Sequence, residues 1–232
     1  MLTIKGLQKT TLVDYPNKVA CTIFLPRCNF RCGFCYNKDL VIDYDRLPSI
    51  QEEEIINFLK EKKKWLDGVV FTGGEPTLHR ELPNFIKKIK EMGFLVKIDT
   101  NGTNPKMLKE LIDNNIVDYI AMDIKAPLEK YDKITGVNVD KEKIKESINI
   151  LKNSKIDSEL RLTCVPTLHS KEDIKKIGEW LKGNKKMFIQ QFQPDKKMID
   201  SSLLNVKPYS KEELEEFKEI LKEYIKEVEI RT

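Results

Sequence analysis

The amino-acid sequence predicts an α/β fold: a partial (β/α)6 barrel with parallel strands, open on one side, plus a C-terminal amphipathic helix. Two observations lead to this prediction. From Val19 onward, short β-branched runs alternate with longer charged segments of helical period, which is the pattern of βα units around a parallel sheet. The chain of 232 residues holds six such units, fewer than the eight of a closed barrel. We therefore expect an open barrel that admits a large substrate.

The elements follow one another in regular order along the chain. The strands are predicted at 19–25, 68–72, 94–99, 117–123, 159–165 and 186–193. Helices between the strands begin with residues that can cap free backbone N–H groups. These starts are Ser49 with Glu52, Asn104 before Pro105, and Ser170 with Asp173.

The last predicted helix begins near Ser210, with Glu213 three residues later. One apolar stripe continues through it, formed by Leu214, Phe217, Leu221, Tyr224, Ile225 and Val228. We expect this helix to pack across the outside of the barrel. The sequence is interpreted as one domain, 1–232, with an N-terminal extension (1–18), the partial barrel (19–193) and a C-terminal segment with its helix (194–232).

Composition excludes several classes of protein. Hydrophobic residues make up 40% of the chain and charged residues 34%, so a substantial core can form and wholesale disorder is excluded. The net charge is only +4 and is spread along the chain, which gives no direct evidence for nucleic-acid binding. No signal peptide and no run of about 18 apolar residues is found, so we expect a cytoplasmic protein without membrane association.

Three of the five cysteines lie close together, in the stretch from Cys28 through Cys32 to Cys35. This CxxxCxxC stretch directly follows the first predicted barrel strand, at the edge where βα folds build active sites. Clustered cysteines in a reducing compartment indicate metal binding more often than disulfides. A structural zinc site would need a fourth ligand, for which Cys21 is poorly placed. The spacing alone leaves zinc and a 4Fe-4S cluster open, while Cys21 and Cys164 are interpreted as buried structural thiols.

The cysteine stretch, with Phe34 before the last cysteine, resembles the signature of the radical S-adenosylmethionine (radical SAM) superfamily. Thr72-Gly73-Gly74-Glu75-Pro76, after the second barrel strand, resembles the glycine-rich segment with which that superfamily binds the methionyl amino group. The resemblance implies that Cys28, Cys32 and Cys35 are metal ligands of a catalytic 4Fe-4S cluster. An iron left open by these ligands would chelate S-adenosylmethionine, and reductive cleavage would give methionine and a 5′-deoxyadenosyl radical.

Further segments resemble the activating enzymes of glycyl radical proteins, namely Asp99-Thr100-Asn101-Gly102, Asp123-Ile124-Lys125 and Tyr131 to Ser147. The opening stretch from Gly6 to Pro16, together with Cys35-Tyr36-Asn37, is most similar to the activating proteins of anaerobic ribonucleoside-triphosphate reductase. Arg27 and Asn17 depart from this pattern, because related activases carry glycine at both positions.

The resemblance also implies contacts to S-adenosylmethionine. The expected contact residues are Phe34, Cys35, Tyr36, Gly73, Gly74, Glu75, Asp99, Asp123, Lys125, Arg161 and Thr163. Glycines permit close approach of backbone to the ligand, Glu75 can accept hydrogen bonds from its ammonium, and Lys125 can pair with its carboxylate. Period-two alternation turns Arg161 and Thr163 inward, where Arg161 equally suits an ion pair in the barrel. Asp99 and Asp123 are expected to hold a monovalent cation or to serve as ordinary strand-end caps.

The implied partner is a glycyl radical enzyme, most closely anaerobic ribonucleotide reductase, with ferredoxin or flavodoxin as electron donor. Two alternatives stay open: a radical SAM enzyme that modifies a small molecule or peptide, and a zinc-stabilised binding module without redox chemistry.

Other conspicuous residues have simpler interpretations. His79 and His169 are expected at the surface, and Trp65 and Trp180 in the core. In the extension 1–18, the candidate docking contacts are Lys9, Tyr15 and Lys18, with a barrel-plugging strand as the alternative.

Overall fold

The computed structural model describes residues 1–231, which form eight strands and eight α-helices. The strands are β1 (Gly6–Thr11), β2 (Ala20–Leu25), β3 (Gly68–Gly73), β4 (Leu95–Thr100), β5 (Tyr119–Asp123), β6 (Asp157–Cys164), β7 (Lys186–Gln191) and β8 (Glu227–Arg231). The helices are α1 (Lys38–Val41), α2 (Glu52–Lys62), α3 (Leu82–Glu91), α4 (Pro105–Asp113), α5 (Tyr131–Thr135), α6 (Lys141–Asn153), α7 (Lys171–Trp180) and α8 (Lys211–Lys222).

All strands belong to one sheet in the order of the sequence, from β1 to β8. Strands β2 to β8 are parallel neighbours, whereas β1 pairs antiparallel with β2. Within residues 1–231, β1 and β8 are not paired with each other, so the barrel is open between them. The predicted fold class is confirmed, and each of the six predicted strands is present.

The two outermost strands were not predicted from the sequence. Strand β1 lies in the extension 1–18, and β8 lies in the segment 194–232 that was predicted to end in a helix. Helix α8 stops at Lys222, so Tyr224 and Ile225 lie beyond it and Val228 belongs to β8. The predicted long helix was therefore wrong at its C-terminal end.

Helix capping agrees with the sequence at three of four starts. Asn104, Ser170 and Ser210 each accept a hydrogen bond from a backbone N–H of the first helical turn. The predicted Ser49 start was wrong, because α2 begins at Glu52, and the Gln51 N–H donates to Glu54 Oε1 (3.0 Å).

The main core lies between the sheet and the surrounding helices. Outward-facing strand residues such as Ile23, Phe71, Ile98 and Leu162 are buried there against the helices. Cys21 and Cys164 belong to the same core and are fully buried free thiols, as expected. Trp180 packs against this core, but Trp65 is 74% exposed, so its predicted burial was wrong.

The inside of the barrel is polar toward one end and aromatic at the other. Tyr15 packs beside Ala20 and Val70 at the N-terminal ends of the strands, with its ring 5.9 Å from that of Tyr119. It is 4% exposed, so it closes the barrel instead of offering a docking contact. Lys9 and Lys18 are exposed, but Lys18 lies near the same closed end. Over the described residues, no helix is both long and apolar enough to cross a membrane.

Candidate active site

One cavity of about 250 Å³ opens at the carboxyl ends of the parallel strands. Every site residue named from the sequence lines it, including the three clustered cysteines, the Gly73-Gly74-Glu75 turn, and the charged residues of β4, β5 and β6. Carboxyl ends of parallel strands meet at one edge of a sheet, which explains why distant motifs come together. The residues named from the sequence thus share one cavity, and their roles in binding stay predictions.

The cysteine loop follows β2 and folds back on itself. The Cys35 N–H donates to the Cys32 carbonyl (3.0 Å), and the Phe30 N–H lies 3.4 Å from Cys28 Sγ. Burial is the main reason that the pKa of Cys28 is raised to about 12 and that of Cys32 to about 11. Lys125 opposes this shift at Cys32. All three thiols are free and face one cavity.

The start of the cysteine loop fits tightly against the glycine-rich turn. The Gly74 N–H donates to the Leu25 carbonyl (2.8 Å), and the Glu75 N–H donates to the Arg27 carbonyl (2.7 Å). A Cβ at Gly74 would lie 1.8 Å from that Arg27 oxygen. The glycine is thus required for contact between the two loops, whereas the sequence analysis had explained it by contact with a ligand.

The two departures from the activase pattern share one backbone feature. Arg27 has φ +66° and Asn17 has φ +58°, both in the left-handed region that favours glycine. The glycine expected at each position from the resemblance is therefore explained by backbone geometry. This chain keeps the same turns with other residues, and the Arg27 guanidinium lies 5.3 Å from the centre of the Tyr44 ring.

Glu75 is bound by its own chain. Its Oε1 accepts from the Thr77 N–H (3.1 Å) and from the hydroxyls of Thr77 (2.5 Å) and Thr100 (2.7 Å). Its Oε2 accepts from the Asn101 N–H (2.6 Å), and the residue is 1% exposed. Glu75 thus joins the loops after β3 and β4, and its expected contact with a ligand ammonium stays a prediction. Burial raises its pKa.

Arg161 bridges two carboxylates on the cavity floor. Its Nε donates to Asp123 Oδ1 (2.7 Å) and its NH1 to Asp99 Oδ2 (3.1 Å). Lys125 Nζ lies 3.0 Å from Asp123 Oδ2. Burial alone would raise the pKa of Asp123, but Arg161 and Lys125 overcome it and hold that pKa well below its usual range. The barrel ion pair considered for Arg161 is therefore present, and Thr163 faces the cavity as expected.

Both histidines are buried, so their predicted surface positions were wrong. His79 Nε2 donates to the Pro26 carbonyl (2.8 Å) just before the cysteine loop. His169 Nδ1 accepts from the Val165 N–H (3.0 Å), which leaves Nε2 to donate to the Lys125 carbonyl (2.8 Å). Burial lowers the pKa of both side chains. Each neutral imidazole therefore fixes a backbone segment of the site.

Seven lining residues were not among the predicted site residues: Phe30, Asn37, Val41, Thr72, Thr100, Asn101 and Gln190. Asn37 Nδ2 donates to the Gly73 carbonyl (2.8 Å), and Asn101 Nδ2 to Asn29 Oδ1 (2.8 Å). Most of these residues stand inside or beside the quoted motifs, which is the signal that could have found them. Period-two alternation along β7 could have predicted Gln190 at the cavity, because it stands two residues after Phe188, which faces inward.

The donor set suits an iron–sulfur cluster. Cysteine thiolates are the usual ligands of such clusters, and here three thiols share a cavity walled by Phe30 and Phe34. Within residues 1–231, no three His, Cys, Asp or Glu side chains are grouped closely enough to hold a single metal ion. Three cysteines that line one cavity fit a cluster with three cysteine ligands and one iron left for another ligand.

Comparison with known families decides between the two kinds of metal centre. The sequence model of the radical SAM superfamily matches residues 22–181, more than half of the chain. The chain belongs to the radical SAM superfamily. It is therefore an enzyme whose cofactors are a 4Fe-4S cluster and S-adenosylmethionine, and the alternative of a zinc-stabilised binding module was wrong.

Two relatives connect this radical SAM chain to different activities. A Methanocaldococcus jannaschii protein named "Putative glycyl-radical enzyme activating enzyme" is 36% identical over 235 residues, covering 99% of this chain and 95% of the relative. A 7-carboxy-7-deazaguanine synthase of Thermoplasma acidophilum is 35% identical over 107 residues, covering 46% of this chain and 47% of the relative. The similarity along the whole chain makes this an activating-enzyme-like member of the superfamily.

The fold is shared with solved radical SAM structures. Streptococcus suis SuiB bound to S-adenosylmethionine superposes with a TM-score of 0.67 over 91% of this chain and 52% of that one. The two sequences are 15% identical, so the likeness concerns the fold alone.

Proposed function

We propose that this radical SAM enzyme activates a glycyl radical enzyme by removing a hydrogen atom from the α-carbon of one glycine. The observation that carries the proposal is the similarity along almost the whole chain to the glycyl-radical activating relative. The opening segment 6–16 and the stretch Cys35-Tyr36-Asn37 make anaerobic ribonucleoside-triphosphate reductase the partner we favour. A cytoplasmic ferredoxin or flavodoxin is the proposed electron donor.

In this proposal, Cys28, Cys32 and Cys35 hold the 4Fe-4S cluster. When bound, the reduced cluster supplies the electron that cleaves S-adenosylmethionine into methionine and a 5′-deoxyadenosyl radical. The backbone around Gly73 and Gly74 and the side chains of Phe34 and Tyr36 form the walls against which S-adenosylmethionine lies.

The floor of the cavity orients the other end of the ligand. Lys125 and Arg161 present positive charge beside Asp99 and Asp123, and we assign the methionyl carboxylate to Lys125. The His169 ring donates a hydrogen bond to the Lys125 carbonyl, and Thr163 lines the same cavity. These residues bind and orient the ligand, and they transfer no proton.

The rim of the cavity supports a protein partner. Tyr36 (38% exposed) lines the cavity. Ile42 (44%) and Leu78 (41%) are exposed apolar side chains that stand one residue after the lining residue Val41 and three residues after the lining residue Glu75. Exposed apolar residues beside a functional cavity are typical of surfaces that bind another macromolecule. A flexible glycine loop of the partner would enter the cavity here.

Electron paramagnetic resonance tests the proposal. The reduced holoenzyme is incubated with S-adenosylmethionine and the anaerobic reductase, and a glycyl radical signal on the reductase is the expected result. Cys32→Ala serves as the inactive control. The 7-carboxy-7-deazaguanine synthase relative supports the alternative of a small-molecule substrate. A compound that drives turnover of S-adenosylmethionine without any protein partner, while no reductase gains a radical, would favour that alternative.

A further inference from the structure

Lys97 carries a buried ammonium group below the cavity floor. Its side chain is 2% exposed, and Nζ lies 2.6 Å from Asp99 Oδ1. The same nitrogen is 6.0 Å from the centre of the Tyr119 ring. Lys97 does not line the cavity itself, because it stands two residues before Asp99 on the same face of β4.

With Lys97 in place, each oxygen of the two floor carboxylates has a cationic partner from this chain. Asp99 is held by Lys97 at Oδ1 and by Arg161 at Oδ2. Asp123 is held by Arg161 at Oδ1 and by Lys125 at Oδ2. Three cations therefore face these two carboxylates.

The next acidic group inside the barrel is also neutralised. Both Glu159 oxygens accept from Arg231, at 2.7 and 2.8 Å, and Oε2 accepts from the Tyr119 hydroxyl (2.7 Å) as well. Glu159 thus pairs with Arg231 and not with Lys97.

Two carboxylates bridged by one guanidinium are costly to bury unless further positive charge is close by. That charge can come from a bound cation or from a side chain, and here a side chain supplies it. We propose that Lys97 is the fixed cation of the cavity floor, which positions Asp99 and Arg161 and makes a bound monovalent ion unnecessary.

This inference rests on the proposed placement of S-adenosylmethionine in the cavity. It predicts that the affinity of the native holoenzyme for S-adenosylmethionine does not depend on alkali ions. It also predicts that Lys97→Met, which keeps an unbranched apolar side chain but lacks the terminal ammonium, leaves Asp99 Oδ1 buried without a partner. A sodium or potassium ion can then take the place of the ammonium.

Anaerobic calorimetry provides the test. S-adenosylmethionine is titrated into cluster-loaded protein in choline, sodium or potassium chloride at equal ionic strength, with iron content measured in each sample. We expect native affinities to agree within about twofold. Loss of a charge-assisted contact should weaken binding to Lys97→Met roughly tenfold in choline, with recovery in sodium or potassium. Lys90→Met, which breaks the Asp118 ion pair elsewhere on the fold, should behave as the native protein.

Three results would overturn the inference. The first is a roughly tenfold loss of native affinity when alkali ions are withdrawn, and the second is undiminished affinity of Lys97→Met in choline. The third is an anomalous signal of rubidium at Asp99 in crystals of the native protein. This crystallographic experiment does not depend on the folding of any variant. Absence of native binding in every salt would instead refute the placement of S-adenosylmethionine, and the inference with it.

Discussion

Gly74 and Arg27 are packed backbone against backbone, so closely that a Cβ on Gly74 would stand 1.8 Å from the Arg27 carbonyl oxygen. The same carbonyl accepts the Glu75 N–H at 2.7 Å. This contact joins the glycine-rich turn to the residue that precedes Cys28. The geometry of the cysteine loop therefore depends on a glycine that lies in a different motif.

Gly74→Ala is expected to lower cluster content and stability together. The clash is with backbone, which cannot move aside as a flexible side chain can, and overpacking of this kind costs about 1–3 kcal/mol or more. Iron content and the thermal midpoint measure the effect. Gly6→Ala is the matched control, because its Cβ would meet only the Phe24 side chain, at 3.3 Å. Equal iron content in the two variants would contradict the proposed coupling of the loops.

The parts of the molecule that the sequence predicted well are those set by local pattern. The inner strands have runs such as Val69 to Phe71 that are apolar on both faces, which is typical of a buried parallel sheet. Strand β1 was missed because Gly6–Thr11 is mostly polar and lies at the edge of the sheet. Strand β8 was missed because Val228 happens to continue the apolar period of α8.

The sequence predicted which residues would line one cavity, but not the hydrogen bonds that they make with one another. Spacing along the chain placed Glu75 at the cavity, yet it could not show that Thr77, Thr100 and Asn101 all donate to that carboxylate. Such convergence depends on how the loops after β3 and β4 fold against each other. His79 and His169 were misplaced for the same reason, because their partners are backbone atoms of distant segments.

Arg27→Gly is expected to stabilise the protein. Left-handed backbone costs an ordinary L-residue about 1–2 kcal/mol, and glycine removes this cost at the expense of a more flexible unfolded chain. The Tyr44 contact is lost as well, so we expect a net gain of up to about 1 kcal/mol. Denaturation midpoints measure it. Asn115→Gly, at φ +52°, should gain less because asparagine tolerates this region. A larger gain at Asn115 than at Arg27 would refute the argument.

The cysteines should separate into two groups when each is changed to alanine. Variants of Cys28, Cys32 or Cys35 are expected to lose the cluster, because each removes a thiolate that faces the cavity. Cys21→Ala and Cys164→Ala should keep the cluster and lose only stability, since both thiols are buried in the helix-facing core. Iron content and the visible absorption of anaerobic protein report the difference. Normal iron in a variant of the first group would exclude that residue as a ligand.

Partner docking is expected at the rim of the cavity and not at the closed end of the barrel. Ile42→Glu and Leu78→Glu should reduce the yield of glycyl radical on the reductase severalfold, because each puts a charge on an exposed apolar rim. Leu12→Glu and Val13→Glu are matched controls, since they are 72% and 83% exposed near the opposite end. Cleavage of S-adenosylmethionine without partner should be unchanged in all four. Radical yields that fall equally at both ends would contradict this placement of the partner.

The two histidines should make the protein less stable as the pH falls from about 7 to 5. Burial lowers the pKa of His79 and of His169, so the unfolded chain takes up protons near pH 6.5 that the native fold does not. The contribution of the two neutral histidines to the free energy of unfolding is therefore fully present above about pH 7. Below that pH it declines, by at most about 1.4 kcal/mol per pH unit for each imidazole. The chain has only these two histidines, and Glu75, whose pKa is raised by burial, acts in the opposite direction. Glutamine at position 79 and at position 169 can still donate to the Pro26 and Lys125 carbonyls but takes up no proton.

Thermal midpoints of the native protein should thus drop between pH 7.5 and 5.5, while those of the His79→Gln/His169→Gln variant should change much less. The same pH dependence in both proteins would assign the effect to other groups.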